Sequence, residues 1–234
     1  MDRYTRTARL KPALLVAMPL GLATVAWFPT QFAGWAVIWG LVAWCGGTIL
    51  LAQFGRDLGR KKEVILFQMW GGKPTTRILR HREATNTTTL MRWHRKLQEL
   101  IPDVRMPTPE EEAADPGRAD EVYDACGAFL RERTRDHTRF PVVFEENCNY
   151  GFRRNLWGMR PLGVATTLAG MLAVGALIVL NTQIKHVNTP PVAYVGGALN
   201  AVLLVMWGAW VTPEWVKTTA NAYADRLLSS CDNL

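Results

Sequence analysis

LGVATTLAGMLAVGALIVL, Leu162–Leu180, runs nineteen residues without Asp, Glu, Lys, Arg or His. A bilayer core takes about 20 apolar residues as a helix, so this run reads as a membrane span. Val192–Thr212 follows after a short loop and is equally free of charge. Upstream, Pro12–Phe28 and Trp35–Phe54 repeat the arrangement around the short uncharged loop Pro29–Gly34. Four such runs in 234 residues would need an improbably large soluble core, so the expected architecture is two transmembrane hairpins. Between them lies a polar stretch, residues 55–161, which holds 20 of the 27 Lys and Arg residues and 16 of the 20 Asp and Glu residues.

The expected fold class is therefore a mainly α membrane protein, with four transmembrane helices as two hairpins flanking a cytoplasmic α or α+β domain. Its expected parts are a cytoplasmic N-terminus (1–11), hairpin 1 (12–54, with spans 12–28 and 35–54) and the cytoplasmic domain (55–161). Hairpin 2 (162–212, with spans 162–180 and 192–212) and a cytoplasmic C-terminal helix (213–234) complete the chain. The net charge of +7 matters less than its position. Of 27 Lys and Arg residues, only Lys185 falls in an expected outer loop. The positive-inside rule then puts both termini and the central domain in the cytoplasm of a multi-pass protein of a bacterial inner membrane. The basic start before Pro12 reads as the first arm of a hairpin rather than a signal peptide, because a second span follows so closely.

Within the spans, Pro19 predicts a bend. Small residues recur every four positions at Ala13, Ala17 and Gly21, at Ala36 and Gly40, at Ala165, Ala169 and Ala173, and at Ala193, Gly197 and Ala201. Such stripes let helices approach closely, within one chain or between chains. Asn200 is the strongly polar side chain deep in a span, a candidate for an interhelical hydrogen bond, a pore lining or a subunit contact. Thr166 and Thr167 are weaker candidates, since a helical hydroxyl can bond its own backbone.

In the polar stretch, Glu63–Trp70 (EVILFQMW) fits either a strand or an inward extension of the second span. Gly71–Thr76 and the basic residues after it offer donors and charge to an anion, although the phosphate-loop pattern is missing. Thr87–Ile101 is an amphipathic helix with Leu90, Trp93, Leu97, Leu100 and Ile101 on one stripe. Lys73, Arg77, Arg80, Arg82, Arg92, Arg95 and Lys96 make up the candidate anion-binding set, suited to phosphates, a nucleic-acid strand or lipid headgroups. Pro107–Asp120 reads as a flexible acidic loop, Asp120–Arg135 as a second amphipathic helix, and Phe140–Phe144 as a brief strand or extended entry. Just before the third span, Glu145, Glu146, Asn149, Tyr150, Arg153 and Arg154 are candidates for coupling the domain to the membrane helices, with headgroup anchoring as the plainer role.

The four cysteines lack metal spacing, and Cys231-Asp-Asn-Leu lacks the aliphatic residues of a prenylation box. No His-x-x-Glu-His, Gly-x-Ser-x-Gly or Cys-x-x-Cys occurs, so neither a catalytic set nor a metal or cofactor is expected.

Trp70–Glu83 (WGGKPTTRILRHRE) and Glu145–Gly163 (EENCNYGFRRNLWGMRPLG), with the layout of the spans, resemble the membrane effectors of bacterial antiphage defence, particularly the small channel-like partner of Hailong-type systems. The resemblance covers about 33 residues and transfers no site residues. It implies a homo-oligomeric inner-membrane channel, held closed by a nucleotide-derived signal from a companion nucleotidyltransferase and released during infection, ending in depolarisation and growth arrest. From another class, a non-conducting membrane anchor whose domain docks a protein partner fits the same residues. A third reading, a membrane-bound enzyme acting on lipid or nucleotide, rests only on polar residues at the interface.

Overall fold

Small side chains at helical spacing build the first of two compact units, residues 1–62 and 151–215. The structure, a computed structural model, describes residues 2–28 and 35–234, with the side chains of 35–46 excepted. The expected loop Pro29–Gly34, Ala36, Gly40, Cys45 and most of the side chains of the expected second span lie outside the described residues. Helix α1 (Lys11–Trp27) continues a π-helical start, Thr5–Leu10, and keeps its helical assignment through Pro19. It packs on α8 (Arg160–Val179) and α9 (Pro191–Val205), each of which ends in a short π-helical turn. Among the described residues, three helices are long and apolar enough to cross a membrane: Thr5–Trp27, Arg160–Ile184 and Pro191–Trp210. The first begins earlier in the sequence than the expected Pro12.

The packed stripes differ in register from those read by four-residue spacing. On α1 the buried positions are Ala13, Val16, Pro19, Ala23 and Ala26; on α8 they are Gly163, Thr167, Gly170, Val174 and Leu177. Ala165, Ala169 and Ala201 are exposed instead. Alternating steps of three and four follow the 3.6-residue turn, whereas a strict step of four drifts off the contact face.

Helix α2 spans Trp35–Trp70, about 54 Å at 1.5 Å per residue. Glu63–Trp70 is therefore helical rather than a strand. Its buried residues, Leu66 and Trp70, stand four apart, a helical period.

The second unit comprises residues 63–150 and 216–234. Its helices are α3 (Pro74–Leu79), α4 (Thr87–Leu100), α5 (Pro109–Ala114), α6 (Pro116–Arg133), the first part of α7 (Pro141–Gly158) and most of α10 (Pro213–Ser229). Leu79, Leu90, Trp93, Leu97, Tyr123, Cys126, Leu130 and Leu227 are among the residues of its core. The unit is thus narrower than 55–161 and takes in the C-terminal helix, which contributes Leu227, Leu228 and Cys231 to that core. No strand forms among the described residues, which corrects the α+β alternative. Phe140–Phe144 is neither a strand nor an extended segment: Pro141–Phe144 form the first turn of α7, with Pro141 at a position that needs no backbone donor.

The acidic stretch 107–120 is ordered into two helices, not a flexible loop. Thr108 and Glu111 form a reciprocal capping box around Pro109, and Asp115 caps α6 by accepting from the Arg118 N–H. Asn86 caps α4, its side chain accepting from the Thr89 N–H.

Candidate functional site

In the second unit, six of the seven cations expected to cradle an anion are engaged by carboxylates of the same unit. Arg80 is 5% exposed, and its guanidinium donates to both carboxylate oxygens of Asp120 (2.8 and 2.5 Å), to Glu83 Oε1 (2.6 Å) and to the Gly71 carbonyl (2.8 Å). This bidentate pair with Asp120, then Glu83, raises the Arg80 pKa against its burial. Gly72, at φ 137°, lies where any Cβ would meet the Arg80 guanidinium at 2.7 Å. Its glycine identity admits that side chain. Lys73 and the Thr76 hydroxyl both bond Asp124, and Arg77 pairs with Glu83. Arg82 reaches Glu112 (3.0 Å) and Asp120 (3.5 Å), Arg92 reaches Asp232 (3.3 Å), and Lys96 reaches Glu99 (3.0 Å).

Glu112 is the hub that the sequence did not reveal. It is 2% exposed and accepts from the His81 N–H (2.7 Å), the Arg82 N–H (3.2 Å), Arg82 Nη1 (3.0 Å) and the Tyr123 hydroxyl (2.8 Å). Burial works against its ionisation, but these donors outweigh burial and hold its pKa below the usual carboxylate range. Burial, then the Glu112 carboxylate, drives the Tyr123 pKa up, so its hydroxyl stays a donor. The legible signal was the capping box, Thr108 to Glu111, which starts the helix that carries Glu112 inward.

Of the seven cations, Arg95 has no ion pair or hydrogen bond among the described residues. It lines a cleft of about 440 Å³ with His81, His94, Met91, Gln98 and Met106. The imidazoles of His81 and His94 meet edge to face at 4.9 Å. Each bonds a backbone carbonyl through Nε2: His81 to Pro107 (3.0 Å) and His94 to Leu79 (2.8 Å). A carbonyl only accepts, so Nε2 carries the proton in both rings. Burial lowers the His94 pKa, which keeps that ring neutral at neutral pH. Trp93, on the apolar stripe read from the sequence, and its neighbour His94 are both buried.

Two of the cysteines are chemically quiet. Burial pushes the Cys126 and Cys231 thiols up to about 11 each, leaving them protonated at neutral pH.

In the first unit, Asn200 is fully buried in the bundle of α1, α8 and α9. No protein group described hydrogen-bonds either amide atom. Gly170 makes room there: a Cβ on it would lie 3.1 Å from Asn200 Nδ2 and 2.8 Å from the Pro19 carbonyl oxygen. Thr166 donates to the Val16 carbonyl (2.8 Å) and to Gly163 (3.1 Å), while Thr167 bonds back to Gly163 (2.7 Å).

The coupling candidates lie on α7. Tyr150, in the second unit, donates to Glu63 (2.5 Å) and stacks on Tyr223 at 6.2 Å. Glu145 is exposed there, and Glu146 and Asn149 are half-buried. In the first unit, Arg153 donates to the Trp215 carbonyl (2.7 Å) and lies over its ring at 4.6 Å. Arg154, 9% exposed, contacts Asn155 Oδ1 (3.3 Å), and Asn155 Nδ2 donates to the Ala8 carbonyl (2.7 Å). Arg160 donates to the carbonyls of Trp207 (2.8 Å) and Gly208 (2.9 Å), closing the end of the α9 helix where a cation suits the dipole. Asn155 was not anticipated, nor was the contact beside it. A Cβ on Gly158 would sit 2.7 Å from the Gly59 backbone nitrogen, and one on Gly59 would sit 2.3 Å from Asn155 Oδ1. Gly55 and Gly59, four apart on α2, were a readable small-residue pair.

No known protein family, curated protein or solved structure matches the chain.

Proposed function

We propose that the protein is a homo-oligomeric pore of a bacterial inner membrane, with four spans, cytoplasmic termini and a gate controlled by its cytoplasmic unit. The observation that carries this reading is Asn200, an amide with no hydrogen-bond partner among the described residues, inside an apolar bundle. Leaving a buried polar group unpaired costs about 1–3 kcal/mol, a cost tolerated where another state of the molecule satisfies it. Water reaching Asn200 in an open state satisfies it and wets the bundle. The Thr166 bond to Val16, beside Pro19, places a second polar group near the same region. Several copies are required, since a single small-residue bundle packs too closely to enclose a path.

The setting in antiphage defence, with a nucleotide or oligonucleotide signal from a companion nucleotidyltransferase, rests on the resemblance of Trp70–Glu83 and Glu145–Gly163. Within that reading, Arg95 and its cleft are the anion contact, because the other six candidate cations already have carboxylate partners. That same neutralisation favours the second reading, a non-conducting anchor whose folded domain docks a protein.

Flux through liposomes carrying the full-length protein tests the pore. Wild type is expected to conduct and Asn200→Leu to lose conduction, while the leucine variant unfolds at equal or higher temperature because the unpaired amide is gone. A folded Asn200→Leu protein that conducts like wild type would sink the role of Asn200; a silent wild type across candidate oligonucleotides favours the anchor. Where an oligonucleotide alters the flux, Arg95→Ala is expected to weaken that response and Arg92→Ala, already paired with Asp232, to leave it near wild type. Equal effects of the two would remove the cleft from the mechanism.

A further inference from the structure

Helix α2 carries an exposed face that runs from its expected span into the residues beyond it. Leu50, Phe54, Asp57, Lys61, Val64 and Gln68 are exposed, and their steps of four and three trace one stripe of a helix. Val64 is 58% exposed, with Ile65 and Met69 beside it also open, while Leu66 and Trp70 face the core.

Acyl chains account for Leu50 and Phe54, which belong to the expected span. They do not account for Val64, Ile65 and Met69. Arg56, Asp57, Arg60, Lys61, Lys62 and Glu63 intervene, and six ionisable residues within eight positions mark the expected exit from hydrocarbon. At about 54 Å the helix exceeds a hydrocarbon core of about 30 Å by several turns, which carries the apolar trio into water.

We infer that this face is the contact between copies of the chain, made by α2 against α2 of a neighbouring copy in parallel orientation. The inference rests on the homo-oligomeric reading above and locates its interface. Two features of the stripe point to a second copy as its occupant. All copies enter the membrane with the same orientation, so α2 helices meet in parallel, and a stripe stepping by four and three is the pattern two parallel helices bury against each other. The charges on the stripe are also self-complementary. Asp57 and Lys61 stand one turn apart, so copies arranged around a ring set Asp57 of one helix beside Lys61 of the next, between the apolar groups at either end.

Disulfide trapping in native membranes tests it, with the full-length chain and its own cysteines replaced. Val64→Cys and Gln68→Cys are expected to yield a covalent dimer on mild oxidation, and Met91→Cys, equally exposed but on α4, to remain monomeric. Independently, Val64→Glu combined with Met69→Glu is expected to convert the oligomer to monomer by mass in detergent, with the helical signal retained. Cross-linking of Val64→Cys no stronger than that of Met91→Cys, or into a product of another mass, would overturn the inference. So would an unchanged oligomer mass in the glutamate variant. Oligomers by mass without the Val64 cross-link leave the homo-oligomeric reading standing and remove only this face; cross-linked copies without flux do the reverse to the pore.

Discussion

Replacing Glu112 with alanine is expected to destabilise the second unit by about 3 kcal/mol, the largest single loss among its charged residues. The carboxylate accepts four hydrogen bonds at 2% exposure, and truncation strands the Tyr123 hydroxyl and the His81 N–H in a buried place. Most of the cost comes from those abandoned donors; the pair with Arg82 adds less, because Arg82 is 40% exposed and screened by water. Glu112→Gln keeps one acceptor oxygen and is expected to fall between alanine and wild type. The pH dependence has a definite sign. The folded pKa is depressed below the unfolded value of about 4.3, so this contribution is complete above that value and is lost as pH falls through the folded pKa. Thermal unfolding of full-length protein in detergent should therefore show a wild-type advantage over Glu112→Gln at neutral pH that shrinks in acid. A gap that stayed constant down to strongly acid pH would mean that the ionised carboxylate is not what stabilises the unit.

Gly158→Ala is expected to cost the first unit about as much, near the top of the usual 1–3 kcal/mol range for overpacking. The new Cβ would meet the Gly59 nitrogen at 2.7 Å and its Cα at 2.8 Å, and backbone atoms inside a helix do not swing aside. The two helices must separate, which also strains the Asn155 bond to Ala8. Gly175→Ala provides the comparison: nothing lies within 4 Å of its Cβ, so its effect should be neutral or slightly favourable through helix propensity. Unfolding temperatures in detergent decide the matter. Equal midpoints for the two variants would show that α2 and α7 do not meet at Gly59 and Gly158.

The two contacts were hidden from the sequence to different degrees. Gly55 and Gly59 at a spacing of four stood in plain view, but a small pair on one helix does not name its partner, and Gly158 lies about a hundred residues away. Glu112 sat among three glutamates in a stretch rich in proline, and only the pairing of Thr108 with Glu111 hinted at order there. Lys73, Arg80, Arg82 and Arg92 looked like an open cationic face because the acids that balance them, Asp124, Asp120, Glu112 and Asp232, come later in the chain. Pairing among charges distant in sequence leaves no local pattern.

The sequence by itself determined what depends on one helix and its solvent: uncharged runs long enough to span a bilayer, the amphipathic periods of α4 and α6, and the isolation of Asn200 among apolar neighbours. Each follows from transfer of side chains between water and an apolar medium, which is additive along the chain. Only the tertiary structure decided which face of each helix packs, that α2 continues through Trp70, that Asn200 points into the bundle, and that six of seven candidate cations are neutralised from within. Those outcomes depend on contacts between helices, where a shift of one residue around a turn of 3.6 exchanges a buried position for an exposed one.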